Sequence, residues 1–496
     1  MNTSAMGPAG TSEAAAVTAR PLPRGVFKRD LLRRWPRLSR LLHQRWFQFA
    51  LMWPGLLAFV VIIASGLFGI PIGAKNFAVV FVWIVWWALL IMLLVPFGAR
   101  VWCTACPIPS LGEWLARRRF IGHHDGAPRG LNRRWPRRLR NLWLANFGFL
   151  SIALFSAIVT TSPVVTGALL LGLFVLAIVM HPVYERRAFC RYLCPVGGFL
   201  GLYSMVAPVE LRRRSAETCL ACKFKSCFRG STAESLAVGG QGGYPCPMSE
   251  FPGAPMERNN YCILCTECIK ACPYDNITIN ARPFGLDLYV QKGRKIDEAY
   301  KAFIMLGSAL AYSLVMLGPH GFLKDWASLR QPEGFVVYAA GFLLTTLVAG
   351  PLLHLVATVL GRWIAGRLGH RIPLKELFVD ASYALVPFGL MAWIAFSLSF
   401  VLPNLSYAVP TISDPFGWGW NLLGTASYPW TPYVPGWVPF LQLPVLLVGL
   451  GWGVLSGFRI LRSDFQGDTR AAALASVPLA VYLTGLAELF LWLYLG

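Results

Sequence analysis

The stretch FAVVFVWIVWWALLIMLLVPFGARVWCTACP, residues 77–107, decides the fold class. Residues 77–98 carry no charge, and about 20 apolar residues suffice to cross a bilayer as a helix. Arg100 marks the end of the apolar run, and Cys103 and Cys106-Pro107 follow at once. A membrane helix thus delivers a pair of thiols to the membrane surface. The rest of the chain has the same character. Its 496 residues are 56% hydrophobic and 14% charged, with a mean hydropathy of +0.53. Soluble domains carry about 25% charged residues, so a soluble enzyme, a disordered chain and a secreted disulfide scaffold are excluded.

Nine stretches have the length and composition of spans: 47–69, 77–98, 142–162, 164–184, 302–323, 335–359, 380–402, 438–459 and 474–495. The formal net charge of +22 would suggest nucleic acid in a soluble chain. Here it reports sidedness. With Arg20 to Arg45 in the cytoplasm, 42 of the 45 Lys and Arg fall in cytoplasmic segments, and the outer loops keep Lys75, Lys324 and Arg330. That is the positive-inside pattern of a multi-pass protein of a bacterial-type inner membrane, with its N-terminus inside and its C-terminus outside. Membrane lipids are expected partners and nucleic acid is not. Residues 1–19 are small and polar and read as a disordered tail. They lack the apolar core of a cleavable signal peptide, so the first span is expected to stay as an anchor. Arg33-Arg34-Trp35-Pro36 is a poor twin-arginine signal and reads as part of an Arg-rich surface helix.

All twelve cysteines fall on the expected cytoplasmic side, where structural disulfides are rare and clustered thiols are metal ligands or redox groups. Cys262-x2-Cys265-x2-Cys268-x3-Cys272-Pro273 is the most specific motif. Three thiolates two residues apart wrap one cubane, and the fourth, followed by Pro, serves the neighbouring cluster in two-cluster ferredoxins. Zinc prefers two Cys-x2-Cys pairs separated by a longer loop. A looser copy precedes it: Cys219-x2-Cys222-x4-Cys227, then Cys246-Pro247 after a Gly-rich insertion. By the crossed rule, Cys219, Cys222, Cys227 and Cys272 hold one 4Fe-4S cluster, and Cys246, Cys262, Cys265 and Cys268 hold a second.

The remaining four cysteines form an internal repeat. Arg100-Val-Trp-Cys103-Thr-Ala-Cys106-Pro107 ends the first helical hairpin, and Arg187-Ala-Phe-Cys190-Arg-Tyr-Leu-Cys194-Pro195 ends the second. Packing the hairpins together would bring four thiolates to one point at the membrane surface. That meets the ligand count of a third centre, iron–sulfur in preference to copper or zinc. Buried structural thiols or a lone zinc-type pair are the alternatives. After the first pair, Ser110 with Glu113 reads as a capping box opening a short interfacial helix.

On these motifs, residues 47–300 resemble the NapH/NosR-type membrane polyferredoxins, in which paired Cys-x3-Cys-Pro motifs follow early membrane helices and precede a cytoplasmic two-cluster ferredoxin. Cys190 to Pro195 matches that motif, and Cys103 to Pro107 is one residue shorter. An outer flavin-binding domain of the NosR kind is missing from this sequence, and the last four spans lie beyond the resemblance. Such proteins serve nitrate or nitrous-oxide respiration, copper-oxidase assembly or iron uptake, so the resemblance implies electron transfer without selecting a pathway.

Other residues carry less. His181, His320 and His354 do not sit at matched depths for b-haem, and polar packing explains them better. Glu488, a carboxylate well inside a late span, suits either a proton or quinone role or a bond to a neighbouring helix. The outer loop 403–437, rich in Trp and Pro, reads as interfacial anchorage or as a docking surface for an outer partner. The Arg runs Arg117–Arg119 and Arg212–Arg214 read as inner-face anchors beside anionic lipid.

The expected architecture is an α-helical polytopic membrane bundle of about nine transmembrane helices with an inserted α+β two-cluster ferredoxin-like domain. Residues 1–46 form a basic N-terminal segment, 47–184 two hairpins, 185–300 a cytoplasmic segment with the ferredoxin-type domain at about 215–300, and 301–496 a cysteine-free five-helix region. The expected function is membrane-bound iron–sulfur electron transfer among cytoplasmic-side clusters, the quinone pool and redox partner proteins on the inner and outer sides. No nucleotide or flavin fingerprint appears, which favours another protein or a quinol as donor. A redox-active assembly or uptake factor for copper or iron, and a cluster-regulated metal permease, remain as alternatives.

Overall fold

A computed structural model describes residues 28–121, 130–254, 256, 258–291, 293–317 and 321–495. The tail over residues 1–19 and His320 lie outside the described residues. The helices that build the bundle are, in chain order, α1 Arg45–Phe68, α2 Phe77–Gly98, α3 Ser110–Arg117, α4 Trp143–Leu154, α5 Pro163–Val183, α6 Pro195–Tyr203, α7 Ile296–Met316, α8 Pro332–Arg367, α9 Leu374–Val401, α10 Val438–Asp464 and α11 Thr469–Leu495.

Eight of these are long and apolar enough to cross a membrane, in line with the expected bundle of about nine, and the ninth apolar stretch forms a shorter helix. The difference lies at residues 142–162. Helix α4 stops at Phe155 and resumes only as Ser156–Val159. The hydroxyls of Thr160 and Thr161 donate back to the carbonyls of Ser156 and Ala157, 2.7 and 2.5 Å away, a habit that bends helices. This shorter piece still runs the length of the bundle. Leu142 N–H at one end donates to the Asp297 carboxylate, and the Thr161 carbonyl at the other lies so close to Gly73, in the turn after α1, that a Cβ there would meet it at 2.6 Å.

Helices α1 and α5 pack together on one side, and α7 to α11 form the other, with α4 and α6 between them. The seam is aromatic. Trp87 of α2 lies 5.1 Å from Trp393 of α9 and 5.5 Å from Phe199 of α6, which stacks on Phe149 of α4. Large apolar side chains such as Val336, Val337, Leu352 and Leu353 of α8 face outward. A soluble protein would bury such a surface; a bilayer covers it.

At the cysteine-bearing end stands a small antiparallel sheet in the order β1–β3–β2, with β1 Arg29–Asp30, β2 Val209–Arg213 and β3 Ile277–Ala281. The ferredoxin-like unit therefore reaches beyond 215–300, and residues 28–34 belong to it rather than to a separate segment. Asp30 explains the attachment. Its carboxylate accepts the N–H groups of Leu32 and Arg33, the Thr278 hydroxyl at 2.6 Å and Arg214 at 2.8 Å, while Leu32 buries itself in a cluster with Leu211, Cys268 and Ile269.

Candidate metal centres

The twelve cysteines are gathered into three groups of four. Cys219 and Cys222, at the end of helix Ala216–Ala221, join Cys227 and Cys272 around one cavity. Cys246, Cys262, Cys265 and Cys268 line a second. Cys106 lies within electrostatic reach of Cys103, Cys190 and Cys194, which form the third group. The groups stand in series. Cys227 and Cys268 share one buried cluster, and Cys103 and Cys190 pack on Met248, Ile263 and Cys265 of the second group's wall.

The loops are shaped to turn amides onto sulfur. Gly197 N–H donates to Cys194 Sγ at 3.2 Å and Asn276 N–H to Cys272 Sγ at 3.3 Å, while the Asn276 side-chain amide reaches Cys219 Sγ at 3.1 Å. Leu264 and Thr266, between the paired cysteines of the compact motif, both take positive φ, 57° and 61°. Left-handed backbone at a non-glycine costs about 1 kcal/mol or more and persists where surroundings impose it, characteristically at functional sites. Crowding does the same at Gly197, where a Cβ would meet the Cys190 carbonyl at 2.7 Å. Burial pushes the thiols of Cys227 and Cys262 up to about 12.

The donor set fits iron–sulfur clusters. Two of the groups set four thiols around one cavity each, the ligand count of a cubane, and the compact Cys-x2-Cys-x2-Cys spacing suits a cubane better than one tetrahedral ion. Orphaned buried cations support the same reading. Arg100 is buried, with Nη2 3.9 Å from Cys103 Sγ. Lys301 is fully buried, its Nζ has no hydrogen-bond partner, and it lies against Gly198, four residues after Cys194. Its ammonium rests over the Phe149 ring at 4.4 Å; a buried ammonium without a hydrogen bond is costly, and an anionic cluster beside it would offset the cost.

The two hairpin repeats brace each other here. Arg187 of the second donates to the Cys103 carbonyl of the first at 3.0 Å, and Arg100 of the first donates to the Asn260 carbonyl just before Cys262. Helix α3 forms over 110–117, but without the capping box. The Ser110 hydroxyl turns back to the Pro107 carbonyl, and Glu113 pairs with Arg187 and Arg117. The buried Arg187 and the half-buried Arg117 claim the carboxylate that the Ser-x2-Glu spacing assigns to the helix N-terminus.

Residues 79–127 and 166–214 match the family described as 4Fe-4S binding domain. Each stretch contains one of the two hairpin Cys…Cys-Pro pairs. The protein binds 4Fe-4S clusters. It is similar to YccM of Escherichia coli (strain K12), named for electron transport, with 31% identity over 20% of this chain and 23% of that protein. It is also similar to the methylamine utilization ferredoxin-type protein MauN of Paracoccus denitrificans (strain Pd 1222), with 30% identity over 26% of this chain and 47% of that protein. The chain thus spans less than half the length of these relatives. No solved structure matches it. The matches support 4Fe-4S binding by a chain with membrane-spanning helices.

The remaining singled-out residues do not converge. His354 is buried in α8, with Nε2 3.2 Å from the Phe378 carbonyl, and Glu488 faces outward from α11. His181 of α5 lies beside Gly112 and Glu113. The loop 403–437 folds back on the turn between α1 and α2, accepting the N–H groups of Ile70 and Phe77 at the Phe416 and Pro415 carbonyls. Sequence reasoning assigned Lys301 to a cytoplasmic loop, with the span starting at 302. Helix α7 starts at Ile296 instead and buries Asp297, Glu298 and Lys301. Glu298 accepts from Arg258 at 2.8 Å, from Asn260 and Tyr261 at 3.0 Å each, and from Tyr383. An acid–acid–x–x–lysine run opening an apolar stretch was the available signal, but it is also what a helix entering water looks like.

Proposed function

We propose that this protein relays electrons along three 4Fe-4S clusters, between a cytoplasmic donor, the quinone pool and a redox partner, in the manner of the NapH/NosR-type polyferredoxins. The single observation that carries the reading is the division of twelve cysteines into three groups of four, set in series from the small sheet to the membrane hairpins. The ligands follow the crossed rule, and the third centre is held by Cys103, Cys106, Cys190 and Cys194. The electron-transport and ferredoxin-type names of the two relatives support the same direction. When bound, such clusters supply one-electron steps at potentials set by hydrogen bonds to sulfur, charge and burial.

The chain's own residues do the rest. The amides of Gly197 and Asn276 polarise sulfur. Arg100, Arg187 and Lys301 keep positive charge against the hairpin centre, where low dielectric makes it count. The buried network of Glu298 with Arg258, Asn260, Tyr261 and Tyr383 fastens the loop before Cys262 to α7 and α9, so the clusters keep a constant position relative to the membrane. The positive-inside bias supports a cytoplasmic side for the cysteine-bearing end.

The test is stoichiometry. The full chain, purified without oxygen, is expected to hold about twelve irons and as much acid-labile sulfide. The double substitution Cys106→Ser with Cys194→Ser is expected to remove about four irons and leave the other two spectra intact. Unchanged iron and spectra in that double variant would remove the third centre. Zinc without sulfide would remove the electron-transfer reading altogether.

A further inference from the structure

A cleft of about 520 Å³ opens at the cysteine-bearing end, and no step described so far uses it. One wall is the segment 185–192, which leads into Cys190 of the hairpin centre. Another is Pro247 with Ser249, directly after Cys246 of the second group. Arg134 to Leu142 close a third side, and Lys295, just before α7, closes a fourth. Whatever occupies the cleft therefore sits between two ligand loops belonging to different clusters.

Its lining is strongly cationic. Glu185 is the one carboxylate among the described lining residues, against Arg134, Arg140, Arg186, Arg187, Arg191 and Lys295. Arg187 and Arg191 are engaged, with Glu113 and Glu250. Among the described residues Arg134, Arg140, Arg186 and Lys295 have no carboxylate within ion-pair distance; Arg140 Nε donates to the Trp135 carbonyl, and Arg186 Nη1 is buried without a hydrogen-bond partner. Between the cations stand aromatic faces. Trp135 and Tyr192 stack at 5.5 Å with planes 6° apart, and the Arg186 guanidinium lies 4.3 Å over Phe228. Concavity with an aromatic wall is the signature of a small-molecule site rather than of a flat protein contact. Several cations at its rim pair with no carboxylate among the described residues, and Arg140 and Arg186 hold only carbonyl and ring contacts, so the set suits a phosphate.

We infer that this cleft binds a phosphate-bearing aromatic electron carrier of the flavin mononucleotide class and is where electrons enter the relay. The inference rests on the function proposed above. Phosphate chemistry suits Arg134, Arg140 and Lys295 at the open side; the ring suits the aromatic wall nearer the cysteines. A flavin rather than a nicotinamide follows from electron counting. The flanking centres accept one electron each, and a flavin releases its electrons singly whereas a nicotinamide gives up a hydride. The reduced, dihydro form loses two electrons, one to each flanking cluster, and two protons to the water of the open cleft, and leaves as the oxidised ring. The cleft is assembled from four separate segments, so no contiguous fingerprint marks it in the sequence. An anionic phospholipid headgroup offers the same phosphate without the ring, and the experiment separates the two.

The full chain, purified without oxygen into nanodiscs of neutral lipid, is titrated with flavin mononucleotide and followed by quenching of flavin fluorescence. Saturable binding is expected. Riboflavin, which lacks the phosphate, should bind at least tenfold more weakly. Arg134→Ser with Arg140→Ser, both exposed and remote from the core, should weaken flavin mononucleotide at least tenfold with iron content unchanged. Absence of saturable binding by fully iron-loaded protein overturns the inference, as does binding that ignores the phosphate or the two arginines. Loss of the titration when cardiolipin is added, with cardiolipin bound through the same two arginines and no discrimination by the ring, assigns the cleft to lipid and also overturns it. Failure of the relay reading itself would appear separately, in the iron and sulfide count.

Discussion

Arg100 offers the sharpest probe of the hairpin centre. Its guanidinium is 2% exposed, and Nη2 stands 3.9 Å from Cys103 Sγ. An electron added to a cluster spreads over the inorganic core, so the working separation from the cation is roughly 8 Å, about twice the contact distance. With an effective dielectric of about 20, one unit charge at that distance is worth about 2 kcal/mol. For a one-electron couple, 59 mV corresponds to about 1.4 kcal/mol, so the energy converts to roughly 90 mV. Arg100→Gln is therefore expected to lower the midpoint potential of the hairpin centre by about 50–100 mV and to leave the other two within about 20 mV. Arg100→Lys, which keeps the charge, should recover most of the shift. The assay is an anaerobic redox titration monitored by electron paramagnetic resonance on samples of matched iron content. An unshifted potential at full iron occupancy would refute the placement of this cation beside a redox centre, because Arg187 and Lys301 remain in both proteins and leave the Arg100 charge as the difference.

Other perturbations follow from the same geometry. Glu113→Gln leaves the buried Arg187 guanidinium without its carboxylate, which typically costs about 3–5 kcal/mol; a clearly lowered melting temperature in detergent is the readout. Burial works to raise the Glu113 carboxyl, but Arg117 and Arg187 outweigh it and bring it down to about 2. Its stabilisation is therefore complete above its ordinary 4.5 and fades as pH falls toward 2, so thermal scans from pH 6 to 3 should narrow the gap between wild type and Glu113→Gln. Gly197→Val drives a side chain into the Cys190 carbonyl and should remove the hairpin centre's irons while the other two spectra persist. Reporter fusions after Ala74 and Ser413 are expected to report the outer side, and one after Gly369 the inner side; an outer Gly369 would reverse the orientation of every cysteine.

Much of this was legible because two signals do not depend on tertiary context. Length and apolarity reveal spans wherever water is absent, and cysteine spacing reveals cluster loops because the ligand geometry is imposed by the inorganic core. The break in α4 was not legible. Residues 142–162 read as one predominantly apolar span, yet the helix ends at Phe155, restarts as Ser156–Val159, and is bent further by the back-bonded Thr160 and Thr161. The edge strand Arg29–Asp30 was hidden for another reason. Two residues carry no periodicity, and their pairing with Ala281 and Asn280 spans some 250 positions of sequence.

The buried charges at the start of α7 show where sequence reading and folding part company. Asp297, Glu298 and Lys301 look like the wet end of a span, yet all three are enclosed, because the small sheet and the hairpin loops settle on that end and replace water. Asp297 receives Leu142 N–H, Glu298 receives four side chains, and Lys301 receives none. With the Arg258 guanidinium on Glu298, two anions and two cations are enclosed there, and among the described residues the Lys301 ammonium has no carboxylate partner and lies over the Phe149 ring. The relay proposed above would set a four-thiolate centre beside that ammonium, at the place where the two hairpins meet. The bundle and the cluster domain are in this sense one folding unit, and removing the third centre should loosen α7 as well as interrupt the relay.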